Sequence, residues 1–194
     1  MKVAKATSSR AASKTAKTVD PSGFLSDVKT LRARARKHIE EGALTDDYTL
    51  NVKAAIKILN DALATELVCT LRYRQHSFVA KGIHSEPIAQ EFLVHSNEEL
   101  GHADAIAKRI VQLGGAPEFN PDKLVSRSHA EYVTCDKLED MIRENLVAER
   151  IAIESYREMV RYFAEHDPTT RAMLEGILAV EEQHADELSD LLER

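Results

Sequence analysis

An all-α fold, an antiparallel four-helix bundle with an extra short N-terminal helix, is what this sequence predicts, on three observations. Its 194 residues suit one domain with a real hydrophobic core. Seven Gly, five Pro and no Trp leave little material for a sheet-rich fold with many tight turns. Long stretches of helical apolar periodicity are punctuated by a few capping and breaking signals, which suit a bundle of helices of roughly 25–35 residues.

Residues 1–23, from the run MKVAKATSSRAASKTAKTVD onward, are rich in Ala, Ser, Thr and Lys, hold no acid before Asp20 and show no periodicity, so they read as a basic disordered tail. Within residues 24–44 a short basic helix is expected from Phe24 to about Glu41, stopped by Gly42. Residues 45–194 then form the bundle. Thr45, Asp46 and Asp47 offer caps for its first helix, which runs to about Lys81. Ser85 caps the second, with Pro87 in its first turn and Gly114-Gly115 at its end. A link with two prolines and one short helical turn follows. Asp136 and Glu139 resemble a capping box for the third helix, which reaches roughly His166. Asp167 caps the fourth, Pro168 takes its first position, and it ends near Leu192.

Charge is unevenly shared. Residues 1–41 carry a net +6 and the remainder a net −12, a basic arm on an acidic body. No apolar run approaches the roughly 18 residues of a membrane span, and no N-terminal segment reads as a secretory signal, so a soluble, cytoplasmic protein is expected. Cys69 and Cys135 form no CxxC pair and no zinc spacing, and read as two buried free thiols in a reducing compartment.

The chemistry lies in two Glu-x-x-His pairs, Glu99/His102 and Glu181/His184. Each pair shares one helix face. With twenty Glu and eight His, chance alone supplies about one such pair, so the pairs by themselves decide little. Two more glutamates change that. Aligning Glu66 with Glu149 also matches Leu63 to Leu146, Tyr73 to Tyr156 and Arg74 to Arg157, the mark of a repeated helical hairpin. In each hairpin the members of a pair, Glu66/Glu99 and Glu149/Glu181, sit roughly 25 Å from the turn at 1.5 Å per residue. All four glutamates and both histidines therefore fall in one layer. Leu59, Leu63, Leu67 and Leu71 around Glu66, and Ile142, Leu146, Ile153 and Tyr156 around Glu149, argue that the layer faces inward. Buried carboxylates incur desolvation and repel one another, and two divalent cations remove both penalties. One Glu from each of two helices plus Glu-x-x-His from the other two is a di-iron or di-manganese arrangement; zinc fits but brings no redox chemistry. His38, His76, His84, His95, His129 and His166 show no ligand spacing and default to surface or packing roles.

LNDALATELVCTLRY, NEELGHADAIAKRIVQLGG, ENLVAERIAIESYRE and LAVEEQHADEL resemble the four helices of the ferritin-like superfamily, closest to bacterioferritins and bacterioferritin-like Dps-like proteins, over residues 48–192. The resemblance implies a ferroxidase that oxidises Fe(II) with O₂ or H₂O₂ and stores Fe(III) in an oligomeric shell. Glu66, Glu99, His102, Glu149, Glu181 and His184 would hold two irons, with Glu99 and Glu181 bridging. Tyr73 matches a tyrosine near the di-iron centre, though a core tyrosine reads equally well. Leu100 stands where bacterioferritin has its haem-binding methionine, so no haem is expected. Only ten residues follow His184, too few for a fifth helix, and the link between the second and third helices is longer than in bacterioferritin. Both features favour a 12-subunit shell over a 24-subunit one. Dps-like proteins of this kind place a cysteine pair beside the metal, which Cys69 and Cys135 do not obviously reproduce. Lys2, Lys5, Arg10, Lys14 and Lys17 suit non-specific DNA binding of the Dps kind, or an idle solubilising tail. A rubrerythrin-like or manganese-catalase-like peroxide enzyme is the alternative on the same bundle, weakened by the missing CxxC motifs.

Overall fold

The computed structural model describes residues 26–193. Its helices are α1 (Val28–Arg34), α2 (Val52–Val79), α3 (Ser85–Gln112), α4 (Leu124–Arg127), α5 (Leu138–Phe163) and α6 (Pro168–Leu192), with 3₁₀ turns at Ile39–Glu41 and Pro121–Lys123. No strand occurs among the described residues. The short connections fold α2 on α3 and α5 on α6 as antiparallel hairpins, which pack together through α2–α5 and α3–α6 contacts. This is the expected four-helix bundle. No described helix is long and apolar enough to cross a membrane.

The helix starts differ from expectation wherever a cap found another partner. α2 begins after Asn51, whose side chain accepts from the Ala54 N–H at 3.0 Å, and not at Thr45–Asp47. Asp46 and Asp47 pair instead with Lys37 and Arg34, while Leu44, Tyr48 and Leu50 fold against the core. The basic N-terminal helix is shorter than expected. It buries no residue, and a helix without a packed face gains too little to continue. Gly42, in the left-handed region at φ 64°, ends the 3₁₀ turn that follows. Ser85 is the first residue of α3 rather than its cap, its hydroxyl donating to the Gly82 carbonyl. The Asp136/Glu139 capping box does not form: α5 starts after Lys137 without a side-chain cap, and Glu139 pairs with Arg143.

Asp167 caps α6 as expected and does more. It accepts from the Thr170 N–H at 2.9 Å, from Arg109 Nη2 at 2.8 Å and from the Tyr48 hydroxyl at 3.0 Å, so one buried carboxylate ties α6, α3 and the segment before α2 together. The link carries the one short helix expected, α4. Leu124 packs there on Ala64 and Val68, and Arg127 donates to the carbonyls of Asn60 and Glu118.

The core is divided. One apolar cluster contains Leu59, Leu63, Ile106, Ile110, Tyr156, Phe163, Leu174 and Ile177. A smaller one, toward the other end, contains Tyr73, Phe92, Met141, Ile142 and Leu188. On every long helix a polar segment separates the two. Leu71, read from sequence as part of the apolar face, is 54% exposed; five residues on from Glu66, at 100° per residue, it points to a different side of α2. Both cysteines are free, but only Cys69 is buried.

Candidate metal centre

The dividing layer is made of the six residues singled out by their spacing. Glu66 of α2, Glu99 of α3, Glu149 of α5, and Glu181 and His184 of α6 are each no more than 2% exposed, and the His102 side chain is 12% exposed. They form two overlapping groups. Glu66, Glu99, His102 and Glu181 offer one ligand atom each, all within 4.8 Å of one another, and so do Glu99, Glu149, Glu181 and His184. Glu99 and Glu181 belong to both.

His102 Nδ1 lies 3.0 Å from Glu181, 3.3 Å from Glu66 and 3.5 Å from Glu99. His184 Nδ1 lies 3.3 Å from Glu99, 3.7 Å from Glu181 and 3.9 Å from Glu149. Four of these six distances are 3.5 Å or less, yet their directions are wrong for hydrogen bonds, and the other two are too long. Glu66 Oε2, Glu99 Oε1, both Glu181 oxygens and both Nδ1 atoms are buried without a hydrogen-bond partner. Such atoms are rare in folded proteins and call for an explanation. Here they converge on common points rather than on each other, which is the geometry of ligands around cations. The donor set could hold metal ions.

Among themselves these groups are electrostatically strained. Burial, then the charges of Glu181, Glu66 and Glu149, push the Glu99 carboxyl well above the usual range. Burial and Glu181 do the same to Glu149. Burial opposes charge on His102, but the carboxylates of Glu181, Glu66 and Glu99 outweigh it and raise its pKa to about 12. His184, also opposed by burial, is raised to about 9, chiefly by Glu181. Two cations would replace these shared protons.

Two tyrosines reach the layer from opposite ends. The Tyr73 hydroxyl donates to Glu149, and the Tyr156 hydroxyl donates to Glu66. Each tyrosine thus anchors the glutamate of the other hairpin. Tyr73 is both a core residue and a neighbour of the centre. Tyr156 holds the matching place; in the sequence it reads only as an apolar neighbour, and its pairing with Tyr73 in the repeat is the signal of more. Glu98 is a further addition, its carboxylate 2.8 Å from His184 Nε2. A carboxylate on the far nitrogen fixes which nitrogen faces the metal. The corresponding position in the second hairpin is Val180, which offers His102 no such partner.

His95, read from sequence as a surface or packing histidine, takes a packing place beside the layer. It is fully buried, stacks on the His184 ring at 3.9 Å, and places Nε2 3.0 Å from Glu187 and 3.5 Å from Glu91. Its i,i+4 spacing to Glu91 was visible in the sequence. Leu100 is 42% exposed and has no donor atom. Cys69 is packed with Ala130 and Ala148 while Cys135 borders the smaller apolar cluster, so the two cysteines occupy separate clusters.

A family model described as ferritin-like domain matches residues 56–194. The chain belongs to the ferritin-like domain family. A bacterioferritin of Mycobacterium avium is 31% identical over 71% of this chain and 83% of its own length. A nutrient stress-induced DNA-binding protein of a Synechococcus strain is 28% identical, over 69% of this chain and 78% of its own. Among solved structures, a bacterioferritin-related protein from Bacteroides fragilis, described as a dodecameric thioferritin, is 34% identical with a TM-score of 0.71, covering 74% of this chain and 86% of that one. The bacterioferritin relatives support a place in an iron-storage family, whose members bind iron.

Proposed function

We propose that this chain is a ferroxidase subunit that oxidises Fe(II) at an intrasubunit di-iron centre and stores Fe(III) inside a homo-oligomeric shell. The observation that carries the reading is the sharing of Glu99 and Glu181 between two four-ligand groups. Glu66 and His102 would hold one iron and Glu149 and His184 the other, with Glu99 and Glu181 available to both. Two Fe(II) together supply two electrons, enough to take O₂ to H₂O₂ or H₂O₂ to water. The chain's part is to position the pair, to supply hard oxygen ligands that favour Fe(III), and to keep one imidazole per metal in a fixed orientation. Tyr73 and Tyr156 hold the terminal glutamates in place. Manganese or zinc fits the same donors, and no group in the layer calls for haem.

A cage of twelve subunits is the assembly we favour over one of twenty-four, in line with the dodecameric Bacteroides protein. Phe78, Ile83, Val94, Leu100 and Val147 are exposed apolar side chains that such contacts would cover. A cytoplasmic location fits the free thiols. The name of the Synechococcus relative supports a second reading, in which Lys2, Lys5, Arg10, Lys14 and Lys17 add non-specific DNA binding. Those lysines and the arginine lie outside the described residues. Deleting residues 1–20 tests it: lost gel retention of DNA at low salt supports the reading, and unchanged retention removes it.

Anaerobic loading with Fe(II), then oxidant, with absorbance and particle mass followed together, tests the main proposal. Fast oxidation of two irons per chain within a multi-subunit particle is expected. A monomer that takes up no iron would overturn it.

A further inference from the structure

Beyond the six-residue layer, α3 and α6 carry a second set of ligand-type side chains on the side of His184. Glu91, His95 and Glu187 each offer one ligand atom within 4.8 Å of the others. The two carboxylates converge on the single His95 Nε2, at 3.0 and 3.5 Å. One imidazole nitrogen can donate to one carboxylate, so a hydrogen bond leaves the second carboxylate repelling the first. The imidazole is fully buried, and its Nδ1 is without a hydrogen-bond partner. The carboxylates sit differently: the Glu91 side chain is 40% exposed and that of Glu187 36%. Both line a cleft of about 260 Å³, together with Asp190. A cation arriving from outside therefore meets the carboxylates first and the buried imidazole behind them.

We infer that Glu91, His95 and Glu187 form a third divalent-cation site, a staging position outside the di-metal layer. Two carboxylates and one neutral imidazole suit Fe(II), Mn(II) or Zn(II). The position also connects inward. His95 stacks on His184 at 3.9 Å and, with Glu149 and His184, makes another group whose ligand atoms lie within 4.8 Å of one another. Glu98, half exposed, lies 2.8 Å from the Nε2 edge of His184. A cation held at the outer position is one imidazole ring away from the layer, and the same histidine reaches both. The ligation rests on these three residues alone; the staging role rests on the di-metal reading.

The test is equilibrium dialysis of the full-length protein against Zn(II), which reports stoichiometry without oxidation. Wild type is expected to bind three ions per chain, and Glu91→Gln/Glu187→Gln two, with unchanged helical content because both side chains are partly exposed. Three ions in both proteins would place the third elsewhere and overturn the inference. Two ions in both would overturn it while leaving the di-metal reading intact. One ion in wild type, lost in the double variant, would support the outer site and remove the inner one. Slower Fe(II) loading in the double variant, with the final two-iron oxidation amplitude retained, is expected of a staging role; loading at the wild-type rate would reduce the site to a bystander.

Discussion

Glu99 belongs to both four-ligand groups, whereas Glu66 and Glu149 belong to one each. Isosteric Glu→Gln changes should therefore separate them. An ion that binds only the folded chain stabilises it by about 2.7 kcal/mol at a hundredfold excess over its Kd. Two ions add about 5 kcal/mol, or roughly 10–20 °C in Tm for a domain of this size, at 2–4 °C per kcal/mol. Thermal unfolding with and without Mn(II), a redox-quiet probe for Fe(II), should show that full shift in wild type. Glu66→Gln and Glu149→Gln should keep about half of it. Glu99→Gln should lose the share of both layer ions and keep only what the outer Glu91, His95 and Glu187 position supplies. Without metal the order reverses: burial and three neighbouring carboxylates penalise charge on Glu99, so a neutral amide there should leave the metal-free Tm unchanged or higher. A Glu99→Gln protein that retains as much of the Mn(II) shift as Glu149→Gln would refute the sharing of that ligand.

Asp167→Ala should destabilise the fold by about 3–5 kcal/mol, measured by urea unfolding, because it leaves the Arg109 guanidinium buried without its partner as well as removing the α6 cap. Tyr73→Phe and Tyr156→Phe should each weaken one metal position by about 10–100-fold, read by Mn(II) titration, with stoichiometry unchanged at saturation. Metal loading near neutral pH should expel more than one proton per chain, because His102 and His184, with pKa values raised to about 12 and 9, carry protons that the cations must displace. Affinity should therefore fall as pH falls. Calorimetry in buffers of different protonation enthalpy checks both signs, and a proton-neutral titration would contradict the assignment of the imidazoles.

The layer was legible in the sequence because helix arithmetic is rigid. Once two hairpins are recognised, the separation of Glu66 from Glu99 and of Glu149 from Glu181 puts the four at one height. What spacing could not show was partner choice between competing polar groups. Asp46 and Asp47 look like caps, but cationic side chains in α1 and just after it claim them. Asp136 and Glu139 have the form of a capping box, yet it does not assemble. Sequence does not reveal the place of His95 because its second carboxylate, Glu187, is 92 residues away, on a helix whose rotation about its axis only packing determines. Tyr156 was hidden for the opposite reason: an aromatic in an apolar stripe looks like core until its hydroxyl is seen to end on Glu66.

Iron-edge anomalous diffraction from crystals loaded anaerobically with Fe(II) would test the central claim most directly. Two iron peaks are expected within the layer of every chain, both touching Glu99 and Glu181, one also touching Glu66 and His102 and the other Glu149 and His184. A single peak in that layer, or none, would contradict it.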